Sequence, residues 1–454
     1  PRMISIMMSY YSELYTFGEL KKTVPEIRYT SQKKNRYGEN RLRADGLLEY
    51  PCRTLASLFS PAIFYGEKLS SIRKIIKQKI QEEFARNSLI RTIPQQGRNN
   101  ARLVLTLMKI LDGKLVENLT GLYVPSNALD VMTDIAIASP AVCAYRQSGN
   151  EEDAQMVAKA VVSVFNKPES AAVIDLMYNK KNDDDYYESV LDYCAIGNLQ
   201  AVLDEYLYMA PEDKKLGQVV TDAIIGTSNL SIDTTDSLGK EEKKQLMRCH
   251  FAIPFIDKTV TDKSVTRTTN IRKAFNSPFR PFLLSTTSIG QEGLDFHWYA
   301  RKIVHWNLPS NPVDLEQREG RINRFKCLAI RRNVVKLYAS ETYHTWDELF
   351  SMAYSNLKGM HSDIVPYWCL PVAELTEEQR AKLEYIERIV PLYPLSRDRY
   401  KYERLIKVLA LYRMTLGQPR QEELLSLLRN MHLSDEQLKE LTIDLCPYNK
   451  IESL

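Results

Sequence analysis

The run Lys302-Ile303-Val304-His305-Trp306-Asn307-Leu308-Pro309-Ser310-Asn311-Pro312-Val313-Asp314-Leu315-Glu316-Gln317-Arg318-Glu319-Gly320-Arg321-Ile322-Asn323-Arg324 decides how this chain is read. Its first seven residues form a short, mostly apolar stretch of strand length, suited to the inside of a sheet. The rest predicts a helix over 311–324. Asn311 suits the N-cap and Pro312 the first helical position, while Asp314 and Glu316 put negative charge near the positive end of the helix. At about 100° per residue, Gln317, Arg321 and Arg324 fall on one face, with Arg318 turned away. Two neighbouring guanidiniums suit a triphosphate, because each planar fork stays charged and takes oxygens in pairs. A solvated helix face would show the same spacing, so the reading depends on the surroundings.

Just upstream lies Ser285-Thr286-Thr287-Ser288-Ile289-Gly290-Gln291-Glu292-Gly293-Leu294-Asp295, at the end of a predicted strand over 281–287. Open α/β sheets bind ligands at the carboxyl ends of their strands. Hydroxyls there can donate to phosphate oxygens, and Gly290 and Gly293 allow close backbone approach. Asp295 could accept from a sugar hydroxyl or orient an arginine. Further strands are expected over 251–256 and 333–338, with a short helix over 270–275. Strands alternating with helices predict an α/β fold with a parallel sheet.

Elsewhere the periodicity is helical: 3–15, 69–90, around 100–118, and a series over 128–230 that includes 151–165 and 187–209. Residues 31–50 read as loop and 231–244 as a polar linker. Beyond about 345 the chain turns helical again, with amphipathic stretches over 402–414 and 421–429. With 454 residues, 44% hydrophobic and 26% charged, the chain is long enough for two or three domains and too apolar to be largely disordered. No run of about 18 uncharged apolar residues is present, so no membrane span is expected. The seven cysteines stand far apart with no CxxC pair, which argues against a zinc site and fits the reducing cytoplasm. The net charge of +4 conceals a basic opening, an acidic middle and a basic close. Basic blocks suit phosphate contact, though solvated helix faces look alike.

The two segments TTSIGQEGLD and HWNLPSNPVDLEQREGRINR, in that order and with a strand between them, resemble motifs V and VI of superfamily 2 helicases, most closely the Swi/Snf-like and RapA-like translocases. The resemblance covers roughly 246–340. It implies a RecA-like parallel sheet flanked by helices, with residues 1–34 as its first helix, a mostly helical insertion over 35–245, the helicase C-terminal core over 246–345 and a helical extension over 346–454. It also implies Arg321 and Arg324 as arginine fingers on ATP, Gln317 as a supporting contact, Gly293 and Asp295 near the nucleotide, and Thr286 and Thr287 near the nucleic-acid backbone. DNA is the expected polymer rather than RNA. A first RecA-like domain, which would hold ATP and magnesium, has no counterpart: no GxxxxGK[ST] or DExx motif occurs, and Leu238-Gly239-Lys240-Glu241 lacks the flanking residues. Together with the non-Met start, this suggests the C-terminal part of a longer protein, unable to hydrolyse ATP alone.

The alternative is a non-catalytic module that keeps the fold and binds nucleic acid or protein; the acidic helical middle could itself serve protein interaction. Other candidates are weaker. His297, His305 and His250 read as structural rather than metal-binding. Trp298, Tyr299 and Trp306 suit packing before base stacking. Arg73, Lys74, Lys77 and Lys79 could follow phosphates or face water.

Overall fold

The computed structural model describes residues 42, 46–59, 68–97, 101–114, 121–178, 186–212, 214–225, 230–232, 245–247, 272–279, 283–285, 295–339, 345–357, 363–372, 375–415, 419–430 and a few positions up to 443. The chain forms two compact units, Pro1–Ile225 and Gly226–Leu454.

The first unit is helical. Its elements are α1 (Arg53–Ser57), α2 (Leu69–Arg86), β1 (Ile90–Ile93), α3 (Ala101–Leu111), β2 (Leu122–Pro125), α4 (Ala128–Ala138), α5 (Pro140–Ser148), α6 (Glu151–Phe165), α7 (Pro168–Tyr178), α8 (Tyr186–Ile196), α9 (Leu199–Met209) and α10 (Leu216–Ile225). β1 and β2 pair in parallel, Ile90 opposite Leu122. α2 buries Ile72, Ile76, Ile80 and Phe84, four apart and therefore one stripe. α4 is buried almost all round, from Ala128 to Ala138, as befits a central helix. The predicted helix over 151–165 begins and ends as expected, with Asn150 as N-cap accepting from the Asp153 amide. The single helix predicted over 187–209 is two: Gly197-Asn198 breaks it, Asn198 taking φ 50° and capping α9 through the Ala201 amide. An Asn tolerates the left-handed region better than most residues. Among the described residues no single helix is long and apolar enough to cross a membrane; the bent pair α4–α5 passes by length and composition and is largely buried in this unit.

The second unit contains β3 (Leu230–Ile232), β4 (Gln245–Met247), β5 (Lys302–Val304), α11 (Pro312–Glu319), α12 (Leu328–Tyr338), α13 (Trp346–Ser355), α14 (Glu377–Ala381), β6 (Glu387–Ile389), α15 (Asp398–Met414) and α16 (Gln421–Asn430). β3 and β4 pair antiparallel across the ends of the expected linker. β5 and β6 pair in parallel, Lys302 opposite Glu387 and Val304 opposite Ile389. Among the described residues the sheets are two-stranded, so the expected flanked sheet is represented by one parallel pair carrying helices after each strand.

Several expectations need correction. Residues 333–338 are helical, not a strand. The Val-Val pair favours a strand locally, but tertiary packing overrides it, burying Leu328, Ala329, Ile330, Arg331, Asn333 and Val334 of α12. The predicted helix over 311–324 stops at Glu319. Residues 283–285 are described and lie in no strand. β6 falls in a region expected to be purely helical. The short helix expected over 270–275 is present at 272–275. The expectations for 3–15 and 251–256 lie outside the described residues.

Candidate functional site

Asn311 starts α11 by accepting from the Val313 amide at 3.0 Å, with Pro312 next. The helix then closes early. The Gly320 amide reaches the Glu316 carbonyl at 2.7 Å, and the following turn is tightened by Arg321 N–H to Arg318 O and Ile322 N–H to Glu319 O. Ile322 is buried, which draws the chain inward, and the Arg321 carbonyl accepts from the Phe296 amide at 3.1 Å. Gln317, Arg321 and Arg324 therefore do not share a helical face: Gln317 lies in the last turn of α11, and both arginines lie in the turn beyond it.

That turn sits against the segment carrying Asp295. Arg324 Nε lies 3.2 Å from Asp295 Oδ1, with about half of each side chain exposed. The Asp295 carbonyl accepts from Asn276 Nδ2, and Asn276 Oδ1 accepts from the Trp298 amide. The structure thus brings together Asp295, Arg321 and Arg324, with Gln317 exposed one turn away. Gly293, Thr286 and Thr287 lie outside the described residues.

The base of α11 is fixed by charge. Glu319 accepts from Arg388 at both oxygens, 2.5 and 2.7 Å, and faces His305 Nε2 at 3.2 Å. Burial disfavours the Glu319 charge, but the hydrogen bonds from His305 and Arg388 outweigh it and hold the carboxyl at about 2. Arg388 also reaches the Tyr402 hydroxyl, Arg318 donates to the Asn307 carbonyl at 2.9 Å, and Glu316 accepts from Arg413. α12 is anchored by Arg331, fully buried, which donates to the Lys326 and Trp298 carbonyls and lies over the Tyr299 ring. Burial lowers His297 to about 4; Arg331 and Arg324 add to this against the pull of Asp295.

Glu319 and Arg388 escaped the sequence reading. Glu319 stands between Arg318 and Arg321, a usable signal; nothing near Arg388 marks it. His297, His305, Trp298 and Tyr299 are tied into these networks; Trp306, expected to pack, is exposed instead, and His250 lies outside the described residues. Arg73 and Lys77 are engaged within the first unit rather than simply facing water. Arg73 pairs with Asp134 and Asp192, and Lys77 with Asp130.

Residues 227–326 match the helicase conserved C-terminal domain. The matched segment includes Asp295, Gln317, Arg321 and Arg324, and its first residue falls at the start of the second unit. The match points to a helicase-related role, in nucleic-acid binding or translocation, and such domains generally work with ATP and magnesium. No curated protein and no solved structure matches the chain.

Proposed function

We propose that this chain is the C-terminal motor half of an ATP-dependent nucleic-acid helicase or translocase, of the Swi/Snf-like and RapA-like kind, acting on DNA rather than RNA in the cytoplasm. The observation that carries the proposal is the turn 320–324, inside the matched helicase segment, where the Arg324 guanidinium is paired, among the described residues, with a half-exposed carboxylate. Such a pair contributes about 0–1 kcal/mol, so an incoming phosphate can compete for the guanidinium. The donors there are cationic forks and an exposed amide, which fit phosphate oxygens.

ATP, when bound, supplies the phosphoanhydride whose cleavage drives movement, with magnesium held by a preceding RecA-like domain. Arg321 and Arg324 neutralise charge at the phosphates. Asp295 orients Arg324 and faces the nucleotide with Gly293, and Gln317 supports the contact from the end of α11. Thr286 and Thr287 meet the nucleic-acid backbone. Glu319, pinned by Arg388 and His305, holds the end of α11 and hence the start of the finger turn.

The test is nucleic-acid-stimulated ATPase in the protein that includes the preceding domain. Arg321→Ala and Arg324→Ala are each expected to lower turnover by about 10³-fold or more, the scale of an arginine finger. Unchanged turnover in both refutes the assignment. A second reading is a non-catalytic module that keeps the fold and binds nucleic acid or protein. Under it, nucleic-acid affinity falls with salt and ignores ATP.

A further inference from the structure

β5 alternates. Ile303 and His305 face inward, while Lys302, Val304 and Trp306 face out. Residues opposite each other in a strand pair share a face, so Val304 and its partner Ile389 stand together on the outer side. They are 47% and 39% exposed, and Trp306, next along the same face, is 69% exposed. The Tyr393 ring meets Trp306 edge to face at 5.7 Å between centroids. Leu392 beside it is exposed, and Leu395 is fully exposed at φ 62°, a backbone region unusual for a bulky residue. A strained segment that keeps its large side chains in water marks a contact surface rather than a core.

Charge selects the occupant. Residues 396–404 hold Arg397, Arg399, Lys401 and Arg404 against Asp398 and Glu403. Arg399 and Lys401 are paired locally with those acids. Arg397 and Arg404 are exposed and make no ion pair among the described residues. Exposed rings with the uncommitted Arg397 just past the turn that follows Tyr393 suit unpaired nucleotides: bases stack on the rings and phosphates meet the arginine, with little regard to sequence. Duplex bases are already stacked and cannot use the rings. A protein partner would instead favour a patch whose centre is poor in charge.

We propose that Trp306 and Tyr393, flanked by Arg397, form a stacking platform for single-stranded nucleic acid. The platform rests on the nucleic-acid reading above but not on Arg321 or Arg324, and Tyr393 and Arg397 lie outside the matched helicase segment.

The experiment titrates the full chain into a dye-labelled oligothymidylate and reads anisotropy, for the wild type, Trp306→Leu, Tyr393→Leu and Arg397→Gln, with circular dichroism reporting the fold. Each leucine variant, which keeps apolar bulk but no ring, is expected to bind about tenfold more weakly, while duplex binding stays unchanged. Arg397→Gln is expected to reduce the salt slope of log K by about 0.7. Undiminished single-strand affinity in both folded leucine variants overturns the platform, as does wild-type chain that ignores the oligonucleotide. Sedimentation showing a dimer that Trp306→Leu dissociates assigns the face to a second copy and also overturns it. The two readings fail separately: ATPase lost in Arg321→Ala with oligonucleotide affinity indifferent to Trp306→Leu keeps the motor and removes the platform.

Discussion

Across residues 42–195 the buried side chains make one continuous apolar cluster, from Leu42 through Ile80 and Met132 to Ala195. The described part of the second unit is tied at carboxylates instead: Glu319 to His305 and Arg388, Glu384 to Arg301, Arg332 and Lys336, and Glu316 to Arg413. Apolar burial is non-directional and nearly indifferent to pH. Charged staples fix direction, which a turn presenting arginines needs, and make the unit sensitive to acid and salt. The contrast is not absolute, since the first unit buries Arg146 on the Ala56 and Ala136 carbonyls and over the Phe59 ring.

The largest effect expected is in the first unit. Ile80 is fully buried, so Ile80→Ala should cost about 2–5 kcal/mol. Hydrogen exchange in 69–86 assigns that loss to this unit. A cost near zero would mean that α2 does not carry the core. Next comes Glu319→Ala, which strands Arg388 and His305. Removing one partner of a fully buried pair costs about 3–5 kcal/mol, and partial exposure brings the expectation to about 2 kcal/mol. All four tryptophans, at 298, 306, 346 and 368, lie in the second unit, so the denaturant midpoint of tryptophan emission reads it alone.

Acid should separate the units further. Glu319 and Glu384 both sit at about 2 in the fold; burial opposes each charge, and the hydrogen-bonded cations prevail. An unperturbed Glu titrates near 4.3, so the stability they add is complete above that value and is lost as pH falls toward 2. His297, lowered to about 4 chiefly by burial, also binds its proton more weakly in the fold. Its contribution is present above about 6.5, the free value, and is lost as pH falls to 4. In the first unit Asp134 runs the other way, its pKa raised by burial despite the Arg73 contact. Its protonation therefore favours the folded form as pH falls. Tryptophan-read stability should begin to decline below about 6.5, and His297→Asn should remove that first limb. A profile flat to pH 4 would break the comparison.

The same division governs what could be read in advance. α6 and the stripe of α2 follow from apolar spacing, and the start of α11 from Asn311-Pro312. The break at Gly197-Asn198 was local and readable, since both residues favour left-handed or turn conformations, but the surrounding apolar period masked it. Asn198→Ala is expected to cost about 1–2 kcal/mol by losing the cap and leaving an alanine at positive φ. Exchange at the first amides of α9 would show it. The helix over 328–338 was hidden for a different reason: its inward face carries Arg331 and Asn333, so polarity obscured the period and left Val-Val as the visible signal. β6 is three residues long and polar in two of them, and only its distant partner Lys302–Val304 makes it a strand. At the site, the reading of Asp295 as a carboxylate able to orient an arginine meets its partner in Arg324. The early end of α11 could not be read in advance, because it depends on the tertiary burial of Ile322 and on the bond from Phe296 to Arg321.

The smallest expected effect tests whether charge holds the second unit even where the cation is set among rings rather than paired with a carboxylate. Lys326, at φ 53°, follows the turn 320–324 and donates its amide to the Tyr367 carbonyl at 2.8 Å. Its ammonium lies 5.2–5.6 Å from the centroids of Phe325, Phe350 and Tyr367, and Tyr367 stacks on both phenylalanines. Burial works against the charge and lowers the Lys326 pKa, with Asp347 opposing the shift. Ring attraction and desolvation therefore compete, and the net gain should be small. Lys326→Met keeps the stem and removes the cation, so a loss of about 0.5–1 kcal/mol is expected. Lys326→Arg should retain most of it. The tryptophan-emission midpoint resolves this, since Trp368 packs edge-on against Phe325. If the methionine variant is as stable as the wild type, the ammonium only fills space among the rings. The region after the turn 320–324 would then be held as the first unit is, by apolar contact, and charge would govern only the segments facing the candidate site.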